Sequence, residues 1–122
     1  MKLLRIAAIL LGLSLIIGEA YRSWGVGRPI AFWMDDMIMG GLLIGAAWRV
    51  ATPTIVNRML FSGAWGVNAG MLYGSFFGKL FDPASANAGN FDLGLLTGLI
   101  GVAFIVAVAG LVASIALARM AA

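Results

Sequence analysis

A chain of 122 residues that is 62% hydrophobic and 11% charged, with a mean hydropathy of +1.03, is too apolar for a soluble domain of its length. Its net charge of +3 and pI of about 10.0 report membrane topology and call for no nucleic acid, because there is no basic run. The absence of cysteine excludes disulfides and thiolate metal sites, and the absence of histidine removes the usual haem ligand, the commonest metal ligand and the most frequent general base.

Four apolar stretches approach or exceed the roughly 20 residues needed to cross a bilayer core of about 30 Å. They cover residues 3–22, 30–51, 53–81 and 92–119. None shows the period-2 alternation of a barrel strand, and backbone groups in lipid must be satisfied within their own segment. The expected fold is therefore an all-α integral membrane protein, with four transmembrane helices in one compact bundle and short connections.

In the first span, Lys2 and Arg5 precede the apolar run from Ile6 to Ile17. Gly18-Glu19-Ala20 has the small residues a signal peptidase would want, but the run leads straight into Tyr21, Arg22 and Trp24, which read as interfacial anchors of a retained helix. Glu19 and Arg22, three apart, form an ordinary helical ion pair. Ala8 and Gly12 offer small residues to a neighbour. Gly25 and Gly27 then permit a tight reversal, and Pro29 suits the first turn of the next helix.

The second span carries Asp35 and Asp36 just inside Trp33, about 9 Å along the helix from Pro29. Asp36 shares a face with Gly40 and Ala47, whereas Asp35 points about 100° away with Leu42 and Ala46. Ionisable groups at membrane depth are costly and tend to be functional, which makes the pair a candidate polar or ion site. The structural alternative is that acids early in a helix suit its macrodipole, with Arg22 and Arg28 as nearby cations. Trp33 and Trp48 bracket the span about 22 Å apart, a reasonable distance for aromatic belts. Gly41 and Gly45 form a small-residue pair. Thr52 reads as the cap of the third helix, with Pro53 at its first position.

The third span holds Ser62, Gly66, Gly70, Gly74 and Gly78 at intervals of four, a glycine zipper. Each step of four advances about 40° around an ideal helix, so the series is an inclined stripe about 24 Å long. A bare backbone lets another helix approach closely, and such a ridge predicts a right-handed crossing of about −40°. The stripe is expected to pack on a helix, inside the protein or across a dimer. Gly41 with Gly45, Gly94 with Gly98, and Gly110 with Ser114 and Ala118 are available as partner surfaces.

Asn57, Asn68 and Ser75 lie within about 20° of one another and form a polar line on the same helix. Asn68 near mid-membrane would hydrogen-bond another helix or line a polar route; Phe61, Trp65, Leu72 and Phe76 are expected to face lipid. Arg58 continues the glycine stripe and is a candidate lipid-headgroup contact, although snorkelling at a helix end accounts for it equally. The small, polar link from Asp82 to Asp92 reads as a mobile surface loop.

With the N-terminus inside, one side holds Lys2, Arg5, Arg49, Arg58 and Arg119 and the other Arg22, Arg28 and Lys79. The positive-inside rule then puts both termini in the cytoplasm of an inner or plasma membrane, with all five acids on the far side. Those acids come from three segments without calcium-loop spacing, so no metal is expected, and no cofactor either. No phosphate loop, HExxH or nucleophile elbow is present, and an enzyme is not expected. The residues point to a non-catalytic accessory or scaffold subunit that packs, beyond the lipid bilayer itself, against another membrane protein or a second copy. The alternative is a small dimeric channel or transporter for an ion or small polar solute, using Asp36 and Asn68.

Overall fold

The structure, a computed structural model, describes residues 1–121. The chain forms four helices in sequence: α1 (Lys2–Ser23), α2 (Ile30–Arg49), α3 (Ile55–Phe81) and α4 (Leu93–Ala121), with one 3₁₀ turn at Pro83–Ser85 before the last. Among the described residues there is no strand. Two of these helices, α1 and α4 as far as Met120, are long and apolar enough to cross a membrane. In α3, the glycines, asparagines and serines dilute an otherwise apolar helix.

The helices pack in chain order. α1 lies along α2 and α3 along α4, α2 meets α3 less extensively, and α1 touches α4 only sparsely. The core is built from Ala8 and Leu11 of α1, Leu43, Ala46 and Ala47 of α2, Phe61, Ala64, Trp65, Ala69 and Leu72 of α3, and Ala107 of α4.

Two kinds of close approach hold the pairs together. Gly12 and Gly40 meet backbone to backbone: a Cβ built on Gly12 would lie 2.7 Å from the Gly40 carbonyl oxygen, and one on Gly40 would lie 2.6 Å from that of Gly12. Between α3 and α4 the fit is ring against bare backbone. The Trp65 indole covers Gly110, and the Phe76 ring covers Gly101, where a Cβ would stand 2.8 Å from Cε1. Phe104 adds ring contacts to Tyr73, Phe76 and Phe77, with centroids 5.8, 6.4 and 6.2 Å away. Van der Waals contact of this density is the close packing that holds one helix against the next.

The rotation of α3 corrects the sequence reading. Phe61, Trp65 and Leu72, expected to face lipid, are buried, and Phe76 is half-buried. Large rings fill the gap between α3 and α4 because α4 offers Gly101 and Gly110 as hollows. The glycine stripe consequently turns outward. Within the chain, Gly66 meets only Leu111, at 3.6 Å from a built Cβ, and nothing lies within 4 Å at Gly70, Gly74 or Gly78. Gly41, Gly45 and Gly98 are equally open, and Gly94 meets only the carboxylate of its own Asp92. Of these glycines only Gly66 touches another helix of this chain, through Leu111 of α4, and the close helix contacts are made at Gly12, Gly40, Gly101 and Gly110 instead.

The connections also differ in detail. Gly25 and Gly27 make the first reversal at φ of +70° and +74°, conformations that cost a residue with a side chain. The cap of α3 is Thr54, not Thr52: its Oγ1 accepts from the Asn57 N–H at 3.1 Å, and the helix begins at Ile55, two residues beyond Pro53. The link from Asp82 to Asp92 is pinned rather than free. Asn90 donates from its backbone N–H to the Arg22 carbonyl at 3.1 Å and from its side chain to the Tyr21 and Trp24 carbonyls, both at 2.8 Å. Phe91 sets its ring edge-on to Tyr21 at 4.8 Å. These contacts satisfy carbonyls that the last turn of α1 leaves without intrahelical donors.

Candidate functional site

Sparse contact between α1 and α4 leaves a cleft of about 470 Å³. Its walls are apolar, with Leu10, Leu11 and Leu15 on one side and Leu99, Ile100 and Ala103 on the other. The lining runs from Ala7 and Val106 to Glu19, Arg22 and Asp36, with Phe91 of the pinned link at the polar end. Along α4, from Leu96 to Val106, it extends about 15 Å at 1.5 Å per residue.

Glu19 organises the polar end. It is buried, with a side chain only 1% exposed, and forms ion pairs with Arg22 at 3.5 Å and with Arg28. The Ser23 hydroxyl donates to it at 2.9 Å and also accepts from Arg28 at 2.8 Å. Arg22 spends its Nε and one terminal nitrogen on the Asn87 carbonyl, the first at 2.9 Å, so the guanidinium joins α1 to the link before α4. Burying charges is tolerable only when each is paired and hydrogen-bonded, and Glu19 and Arg22 meet that condition.

Asp36 is half-buried and lines the cleft, where its carboxyl group comes within hydrogen-bonding reach of that of Glu19. Asp35 is exposed and accepts the Asp36 N–H at 2.7 Å with its own side chain. The two neighbouring acids therefore part company, one turned into the cleft and one away from it.

The polar line of α3 does not join this site. Asn57 braces the α2–α3 turn, donating to the Arg49 carbonyl at 2.9 Å and the Thr52 carbonyl at 2.8 Å and accepting from Arg49 Nε at 3.4 Å. Asn68 is fully buried and donates to the Met39 carbonyl of α2 at 3.2 Å and to the Ala64 carbonyl at 2.8 Å. Among the described residues, its Oδ1 and the Trp65 Nε1 have no hydrogen-bond partner. Ser75 accepts from Lys79 at 2.9 Å. Arg58 is half-buried near the opposite end of the bundle, where Arg5 also reaches across from α1 to the Ala47 carbonyl at 2.8 Å.

The helical ion pair expected between Glu19 and Arg22 is present, but the burial of Glu19 is not foreseen from the sequence. A signal was present: a lone acid at the end of an apolar helix, followed at three and four residues by the donors Arg22 and Ser23. The cleft had no signal in the sequence, because it is set by how far α1 stands from α4. Among the described residues, no group of three or more acidic side chains is placed to hold a metal ion. No protein-family model, curated protein or solved structure matches this chain.

Proposed function

We propose that this is a four-span membrane protein with both termini in the cytoplasm, acting without catalysis as an accessory subunit that seats a helix of a larger membrane assembly on the outer face of α3. The observation that carries this reading is the open ridge at Gly70, Gly74 and Gly78, all exposed and with nothing of this chain within 4 Å of a built Cβ. Glycine is a poor helix former, by about 1 kcal/mol per residue against alanine, so three in a row at the same spacing need a compensating contact. The folded chain does not supply it, and close approach of a helix from elsewhere would. Large side chains exposed on every helix, such as Leu3, Ile38, Met59 and Ile105, agree with a surround of lipid.

Purification from native membranes in mild detergent tests this directly. The parent chain is expected to bring down a stoichiometric membrane partner, and Gly70→Leu to lose it with an unfolding temperature no lower than the parent's, because a Cβ there meets nothing of its own chain and leucine is the better helix former. Recovery of the chain by itself, or as a symmetric oligomer only, counts against the accessory role.

One feature favours a second reading, a small dimeric transporter: Asp36 lines a cleft that opens between helices. That reading has to do without Asn68, whose amide is committed to α2. It expects flux of an ion or small polar solute in reconstituted vesicles that Asp36→Asn abolishes, and vesicles that show no flux with the parent chain dispose of it.

A further inference from the structure

The charges of this chain are divided unevenly between the two ends of the bundle. All five acids, Glu19, Asp35, Asp36, Asp82 and Asp92, lie toward the end where α1 and α3 finish and α2 and α4 start. The opposite end, where α2 turns into α3, gathers Arg5, Arg49 and Arg58 and has no acidic side chain. Arg5 donates from Nε to the Ala47 carbonyl at 2.8 Å and Arg49 from Nε to Asn57 Oδ1 at 3.4 Å. Both guanidinium groups are thereby held at the α2–α3 turn, with terminal nitrogens unbonded among the described residues.

Arg58 stands apart from these two. It closes the first turn of α3, where the positive end of the helix disfavours a cation, and no acid shares that turn. Among the described residues its side chain has neither an ion pair nor a hydrogen bond, and its Nε is buried without an acceptor. Snorkelling would carry the guanidinium into water and leave every donor hydrated, and the enclosed Nε does not fit that account. A charged donor shut off from water requires an acceptor, which the rest of the chain does not supply.

The chemistry of that acceptor follows from its surroundings. An oxyanion with two neighbouring oxygens meets Nε and a terminal nitrogen of one guanidinium at once, and its charge offsets three arginines that have no acid beside them. Ile55, Val56 and Met59, which flank Arg58 on α3, are apolar and exposed, so hydrocarbon and positive charge share one level of the molecule. A phospholipid headgroup brings its phosphate to that level with its acyl chains alongside.

We propose that the α2–α3 turn binds the phosphate group of an anionic phospholipid, held on Arg58 with Arg49 beside it and Arg5 adding to the charge. The phosphate supplies the acceptor that Arg58 Nε lacks. The proposal rests on the membrane reading given above and is independent of the accessory role, which concerns Gly70, Gly74 and Gly78 further along α3.

The test uses the full chain in dodecyl maltoside, with dioleoylphosphatidylglycerol and dioleoylphosphatidylcholine as competing probes and native mass spectrometry as the readout. The two lipids share their acyl chains and a phosphate, but choline brings a cation of its own. The parent is expected to retain the anionic lipid about tenfold over the zwitterionic one, the scale of a charge-assisted hydrogen bond. Arg58→Gln should abolish that preference, and Lys79→Gln, at the other end of α3, should keep it. Arg49→Gln, on an exposed side chain, should weaken it and reports on the site even where Arg58→Gln does not fold. Equal retention of the two lipids, a preference that survives both arginine variants, or the same loss in Lys79→Gln would overturn the proposal. Displacement of the lipid by inorganic phosphate would make free phosphate the ligand and overturn it as well. An Arg58→Gln chain that keeps the lipid preference but loses a co-purifying membrane protein would assign Arg58 to a carboxylate of that partner instead. Recovery of the chain from the soluble fraction without detergent is a separate outcome, which removes the membrane reading and the proposal with it.

Discussion

Gly12 and Gly70 occupy the same kind of sequence, a glycine inside an apolar helix, and their surroundings are opposite. At Gly12 a methyl group would run into the Gly40 carbonyl oxygen and the Ile44 side chain; at Gly70 it would meet nothing. Gly12→Ala is therefore expected to lower stability by about 1–3 kcal/mol, the usual range for overpacking a tight contact, as read by thermal or denaturant unfolding in detergent. An unfolding midpoint equal to the parent's would show that the α1–α2 contact has slack. Periodicity alone could not separate these two glycines, because the same spacing marks a helix contact whether the neighbour belongs to this chain or another. What decides is the partner. The rings that cover Gly101 and Gly110 lie in α3, some tens of residues away in sequence, and only their placement reveals that the aromatic face of α3 turns inward.

Helix existence and extent were the most legible features at the scale of elements. Continuous apolar runs leave the backbone one way to satisfy itself, and α1, α2, α3 and α4 begin and end within about two residues of the boundaries read from the sequence. The cap of α3 was misplaced because Thr52 and Thr54 flank Pro53 symmetrically, and only the bond from Asn57 to Thr54 distinguishes them. The 82–92 link was misjudged for a different reason: its small, polar composition suits a free loop, and nothing local shows that Asn90 reaches the end of α1. Asn90→Ala removes two hydrogen bonds to the Tyr21 and Trp24 carbonyls, each worth on the order of 1 kcal/mol. Faster amide exchange or proteolysis at residues 83–91, with the helices unaffected, is the expected outcome. Unchanged protection would mean that Phe91 and Arg22 hold the link by themselves.

Seen whole, the molecule separates its polar groups by end. Arg5, Arg49, Asn57 and Arg58 gather where α2 turns into α3, and Glu19, Arg22, Arg28, Asp36 and Lys79 gather at the other end beneath the pinned link. The sequence distinguished these two ends through the order of its charges, but the unequal packing that leaves α1 apart from α4 is a property of the assembled bundle and was not readable. The glycine ridge lies on α3 and the cleft between α1 and α4, so each can be altered without the other. The outward ridge carries the proposed role, and the absence of cysteine makes it open to single-site chemistry. Cysteine placed at Gly74, crosslinked in intact native membranes, should give one discrete adduct with another membrane protein. That adduct should disappear on adding Gly70→Leu and be absent when the cysteine is placed at Val102 instead. A position 74 that yields no protein adduct, or the same adducts as position 102, would mean that lipid alone covers the ridge and that the accessory role is wrong.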